Sequence, residues 1–138
     1  MTTRDEHDAL NRFRQRYAIV TTEVAAEIER RVIGAVWGAN GYTTVEQADE
    51  LARRLDLGPG RTLLDVGTGR GWPGLYLAAK TGCNLVGTDM PLDALAAAAR
   101  RARAESIDDR VGLIAAAGAN QPFRPNSFDA IVHTDVLC

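Results

Sequence analysis

The run Leu63-Leu64-Asp65-Val66-Gly67-Thr68-Gly69-Arg70-Gly71-Trp72-Pro73-Gly74 constrains the fold more than any other stretch of the chain. It begins with Thr62–Val66, a short apolar segment without helical spacing, which reads as a buried parallel strand. The strand runs directly into alternating glycines. These let the backbone turn sharply and let a ligand come close to the main chain. Pro73 suits the first turn of a helix, predicted over Pro73–Lys80. Such a helix aims its free N–H groups and the positive end of its dipole at the glycine turn. A strand-to-helix turn that bound nothing would have little use for three alternating glycines.

The alternation continues downstream. Asn84–Thr88 reads as a second strand, Leu92–Arg103 as an alanine-rich helix, and Val111–Ala116 as a third strand. Pro122–Asn126 is a loop and Ala130–His133 a fourth strand. This order predicts an α/β fold: a doubly wound, Rossmann-like parallel sheet of about four strands, incomplete, preceded by N-terminal helices. Residues 1–57 form the helical extension and residues 58–138 the sheet core. In the extension, Leu10, Phe13, Tyr17, Val20, Val24, Ile28 and Val32 recur at steps of three or four, the spacing of one core-facing helix stripe. Thr21 and Thr22 mark a break, since threonine caps helices better than it fills them. Gly34, Gly38 and Gly41 end the helical pattern, so WGANGYTT reads as a loop. Thr44 with Gln47 forms a capping box. It starts a helix through Leu51 and Leu55 that Gly58-Pro59-Gly60 stops.

Composition narrows the function classes. The 138 residues are 46% hydrophobic and 25% charged with a net charge of −2, as in globular domains and unlike disordered chains. The length suits one domain. No apolar run is long enough to span a membrane, and the charged start MTTRDEHDAL is not a secretory signal. Near-neutrality argues against a nucleic-acid module. Lys80 is the only lysine; the remaining bases of this kind are arginine, a pattern that reads as coding bias. Cys83 and Cys138 are too few for a disulfide framework and belong to no metal-spaced cluster, so no metal site is expected and a reducing cytoplasm is the expected location. Cys83 reads as buried.

Two ligands compete for the glycine turn. Gly69-Arg70-Gly71-Trp72-Pro73-Gly74 matches GxGxxG, the dinucleotide fingerprint of nicotinamide-dependent oxidoreductases. Asp65-x-Gly67-x-Gly69-x-Gly71 instead places an acid at the strand end, where it would repel a pyrophosphate and suit a ligand carrying an ammonium and a sulfonium. Pro73 also lacks the N–H that a phosphate would use.

LLDVGTGRGWPGLYLA resembles motif I of class I S-adenosylmethionine-dependent methyltransferases, and the resemblance runs from about Leu63 to Cys138. It implies that the turn holds the methionine part of S-adenosylmethionine, with Asp65, Gly67, Gly69 and Gly71 lining the site. The family carries a ribose-binding acid at the end of the second strand. Asp89, in Leu85-Val86-Gly87-Thr88-Asp89-Met90, matches that position, and a carboxylate there can accept both ribose hydroxyls. The plainer alternative for Asp89 is a cap for the following helix. Met90 would then lie against adenine. Gln121-Pro122-Phe123 with Ser127-Phe128-Asp129 resembles the family's approach to its fourth strand, with Asp129 at the strand start and Phe123 and Phe128 in the core. Many members place an aspartate after strand three, where this chain has Ala117; backbone groups of Gly118 or Ala119 would meet adenine instead. Tyr42 and Thr43, followed by Thr44, resemble a loop that closes over the cofactor carboxylate in several small-molecule methyltransferases. Core packing of Trp37 and Tyr42 with a cap at Thr44 is the alternative. His133, at the C-terminal end of strand four, is either a general base or a polar strand-end residue.

The function implied is methyl transfer from S-adenosylmethionine to a small-molecule acceptor, with this chain carrying the cofactor-binding half. A nicotinamide-binding domain and a noncatalytic assembly module are the alternatives. Class I members usually continue for three more strands, so the chain reads as a truncated frame, a fragment, or a half completed by a partner, and as inactive alone. The apolar edge Ala130-Ile131-Val132 invites self-association or pairing with a partner chain.

Overall fold

The computed structural model describes residues 4–19, 22–39 and 41–135. Val20, Thr21, Asn40 and Cys138 lie outside the described residues, as do the side chains of Phe13 and Tyr17. Three helices come first: α1 (Arg4–Ile19), α2 (Glu23–Ile33) and α3 (Val45–Arg54). The core follows as β1 (Thr62–Val66), α4 (Gly74–Thr81), β2 (Asn84–Asp89), α5 (Leu92–Ala104), β3 (Val111–Ala115) and β4 (Ala130–Val132). A single 3-10 turn, Asp108–Arg110, leads into β3. The strands form one parallel sheet in the order β3-β2-β1-β4, the Rossmann-like arrangement expected from the sequence.

The caps act as their side chains dictate. Thr22 accepts the Ala25 N–H at 3.1 Å to open α2. Thr44 and Gln47 form the reciprocal capping box of α3. Pro73 sits at the N-cap of α4, one residue ahead of the predicted first turn. Asp129 opens β4 by accepting Thr62 N–H at 2.8 Å and donating its own N–H to Thr62 O, which fixes the β4–β1 register.

Right-handed crossovers place α4 and α5 on the same face, because β1→β2→β3 step in one direction. Leu63, Leu85, Ala130 and Val132 point into that face and form the core with Leu75, Leu77, Ala78, Ala98 and Ala102 from the helices. Cys83 is fully buried there. The step from β3 back to β4 runs the opposite way, so the 116–129 connection crosses the other face. It contains no helix. Ile114 and Ile131 on the strands therefore remain 37% and 57% exposed. Phe123 and Phe128, expected in the core, lie on this irregular connection and pack edge-on against each other at 4.9 Å, outside the core cluster.

The N-terminal stripe is a second correction. Val24, Ile28 and Val32 face solvent, at 69%, 57% and 48% exposure. The buried residues of α2 are Glu29 and Ile33, about 100° further round the helix. The cause is Glu29, whose Oε1 accepts the N–H groups of Trp37 at 2.7 Å and Ala39 at 2.8 Å. Those charge-assisted bonds turn the glutamate side of the helix inward. Among the described residues no helix is long and apolar enough to cross a membrane.

The two faces of α2 should respond differently to substitution. Ile33→Ala is expected to cost about 2–5 kcal/mol, the range for a truncated buried aliphatic side chain. Ile28→Ala should change stability by no more than about 0.5 kcal/mol. Urea denaturation of both variants checks the orientation; equal losses would contradict it.

Candidate functional site

A cleft opens at the C-terminal ends of all four strands, where ligands bind in open parallel sheets. Val66, Gly67, Thr68, Gly69 and Arg70 line it after β1, Asp89 and Met90 after β2, Ala116 and Gly118 after β3, and Thr134 and Asp135 after β4. Gly38, Ala39 and Gly41 contribute from the α2–α3 loop, and Trp72 from the glycine turn.

The turn is held from below and from the side. Below it, the buried Asp65 Oδ2 accepts the Thr68 hydroxyl at 2.8 Å and the Gly74 N–H at 3.1 Å. Gly74 must lack a side chain, since a Cβ there would overlap the Asp65 carboxyl. From the side, Thr88 O accepts the N–H groups of Gly67 and Thr68 at 2.7 and 3.0 Å. Asp89 Oδ2 accepts Gly69 N–H and Oδ1 accepts Met90 N–H, both at 2.7 Å. Each oxygen of Asp89 thus holds one backbone donor and keeps further acceptor capacity at the cleft. The first residue of α5 is preceded by Pro91, which makes no side-chain cap, so Asp89 serves the turn rather than the helix.

Above the turn, the α2–α3 loop is anchored by aromatic packing. Trp37, Trp72 and Tyr76 form a cluster with ring centroids 5.3 to 6.0 Å apart. Arg101 lies 4.8 Å over the Trp37 ring and donates to Val36 O. The Trp72 indole N–H donates to Thr43 O at 2.9 Å.

A family profile described as a methyltransferase domain matches residues 63–138. The chain belongs to the class I S-adenosylmethionine-dependent methyltransferase family. It is 39% identical over 83 residues to the methyltransferase GfsG of Streptomyces halstedii, covering 60% of this chain and 30% of that one. It is 31% identical over 113 residues to the 27-O-demethylrifamycin SV methyltransferase of Amycolatopsis mediterranei, covering 72% and 42%. Among solved structures, a methyltransferase of Geobacter sulfurreducens in complex with S-adenosylhomocysteine superposes with a TM-score of 0.63 at 26% identity, over 71% of this chain and 39% of that one. The chain spans less than half the length of these curated relatives.

Within this methyltransferase fold, Gly67, Gly69, Asp89, Met90 and Gly118 meet in one cleft. The other expected residues do not line it. Asp65 is 1% exposed and lies beneath the turn as a brace, because Thr68 and Gly74 draw its carboxyl inward. Gly71 is buried behind the turn, its Cα against Leu75. Tyr42 is 81% exposed. Thr43 sits at the rim, bonded to Asp135 rather than lining the cleft. His133 is exposed and away from the cleft, while its neighbours Thr134 and Asp135 face it. Asp135, Trp72 and Arg70 were missed. The strand-end rule that singled out His133 applies equally to Asp135; the pattern of Trp72 gave no separate signal.

Burial pushes the Asp65 carboxyl up from its ordinary 3.8 to about 7, against the lowering effect of its bonds to Thr68 and Gly74, with nearby Asp89 adding repulsion. Burial also raises Asp89, opposed by its two backbone donors. The folded protein therefore binds more protons than the unfolded chain in this range. Stability contributed by Asp65 is complete below 3.8, falls as pH rises, and is lost above about 7. Asp65→Asn is expected to flatten that fall in a series of thermal melts across this window. An unchanged slope would show that Asp65 ionises normally in the fold.

Proposed function

We propose that this chain carries the cofactor-binding half of an S-adenosylmethionine-dependent methyltransferase that acts on a small molecule in the cytoplasm. The observation that carries the reading is the Asp89 carboxylate at the cleft. Its two oxygens each keep acceptor capacity after bonding Gly69 and Met90, which fits a vicinal diol such as ribose. The same geometry does not fit a pyrophosphate, because the Gly69 N–H is already engaged by an acid and Pro73 has none to offer. The nicotinamide alternative is accordingly not favoured, and the matching family profile and the GfsG relative are both described as methyltransferases.

When bound, S-adenosylmethionine would supply an electrophilic methyl group to a lone pair of the acceptor, with S-adenosylhomocysteine as leaving group and loss of the acceptor's proton. The chain contributes alignment and exclusion of water. Gly67 and Gly69 admit the methionine part, Asp89 holds the ribose, and Met90 packs on adenine. The Gly118 backbone meets the adenine edge where Ala117 offers no side-chain acceptor, and Thr43 lies at the rim near the carboxylate end. No protein nucleophile is required. Residues 1–57 act as the cap and 58–138 as the cofactor half. The edge position of β4 with its exposed Ile131 supports pairing with a second chain there.

Calorimetric titration with S-adenosylhomocysteine tests the reading. Binding is expected, and Asp89→Ala should weaken it by about ten- to a hundredfold, the loss of hydrogen bonds to a charged group. NAD should give no heat. Binding of NAD without S-adenosylhomocysteine would overturn the assignment.

A further inference from the structure

The α2–α3 loop supplies Gly38, Ala39 and Gly41 to the cleft, yet it belongs to neither flanking helix and must be held by side chains from elsewhere. Glu29 holds its first half through Trp37 and Ala39. The second half is held from the far end of the chain. Asp135 Oδ2 accepts Tyr42 N–H at 3.1 Å, Thr43 N–H at 3.2 Å and the Thr43 hydroxyl at 2.9 Å. Two successive amides converging on one anionic oxygen form the concave arrangement by which backbone binds anions. Gly41 packs directly against the same carboxylate, and a Cβ there would overlap it. Asp135 itself adopts a φ of 57°, a left-handed conformation that aspartate tolerates better than most residues. Its carboxylate thereby joins the end of β4 to a loop 92 positions earlier in the chain.

We propose that Asp135 is a positioning residue: its carboxylate latches residues 41–43 of the α2–α3 loop onto the rim of the cleft, so that loop docking and retention of the bound ligand are one equilibrium. The ligand part rests on the cofactor reading above; the docking part does not. Both tryptophans of the chain report on docking. Trp37 is in the loop, and Trp72 donates its indole N–H to Thr43 O, next to the latch. Because the Tyr42 and Thr43 donors meet one oxygen, asparagine keeps that acceptor while removing the charge.

The experiment compares the full chain with Asp135→Ala, Asp135→Asn and Gly41→Ala by tryptophan emission and by S-adenosylhomocysteine titration. Asp135→Ala should shift emission to longer wavelength and weaken binding about tenfold, mainly through faster dissociation. Asp135→Asn should restore most of both signals, a recovery that a merely bulky surface residue would not show. Gly41→Ala leaves the carboxylate in place and blocks its approach, so it should reproduce Asp135→Ala and serves if that variant fails to fold. Unchanged emission in both alanine variants would overturn the latch. Tighter binding by Asp135→Ala would also overturn it, since the carboxylate would then be a competitor for the loop amides. A wild-type chain that binds no S-adenosylhomocysteine defeats the cofactor reading, and the emission shift alone then decides the latch.

Discussion

The buried carboxyl of Asp65 is the contact on which the cleft depends. It ties the last residues of β1 to the turn through Thr68 and to the start of α4 through Gly74. Removing a polar group from water costs free energy unless its bonds are replaced. Here the replacement is one hydroxyl and one helix N–H, so the carboxyl can remain buried only if strand, turn and helix keep their relative positions. The spacing of Asp65, Thr68 and Gly74 is therefore a packing requirement as much as a binding signature. The side chains that face the cleft sit on top of a turn whose shape is set from underneath.

A second set of acids holds the irregular backbone around the same site. Glu29, Asp89 and Asp135 each accept backbone N–H groups from segments that lack regular partners: the start of the α2–α3 loop, the glycine turn and the end of the same loop. Irregular backbone near a ligand site must find acceptors somewhere. In this chain carboxylates provide them, which leaves the cleft acidic at two points and suits it to a cationic guest better than to a phosphate.

The glycine turn, the Thr44 capping box and the succession of strands and helices along the core could be read from the sequence because each rests on local chemistry. A glycine run after an apolar strand, or a threonine three residues before a glutamine, means the same thing in most contexts. Other features depended on tertiary partners. The face of α2 could not be inferred from the spacing of Val24, Ile28 and Val32, since Glu29 outweighs that stripe by binding a loop that follows it. Asp65 looked like a ligand to the cofactor because it precedes the glycines; its direction is decided by Gly74, nine positions later. Asp135 bonds Tyr42 and Thr43, which lie 93 and 92 positions earlier in the chain, and only the fold brings them together. Among the residues expected at the site, Gly67, Gly69, Asp89, Met90 and Gly118 face the cleft, whereas His133 and Asp65, which also lie near strand ends, do not.

The register of β4 bears on how the chain reaches this structure. β1 is central in the sheet, yet its two neighbours come from very different distances along the chain. β2 arrives after a single helix. The other neighbour begins at Asp129, which bonds Thr62 across 67 positions, after α5 and β3 have been laid down on the opposite side. Half of the β1 edge must wait for the most distant pairing in the sheet. Closing such a loop costs entropy before any contact compensates it, and non-local pairing of this kind slows folding. The pairing that brings Thr134 and Asp135 to the rim of the cleft is thus a strongly non-local one.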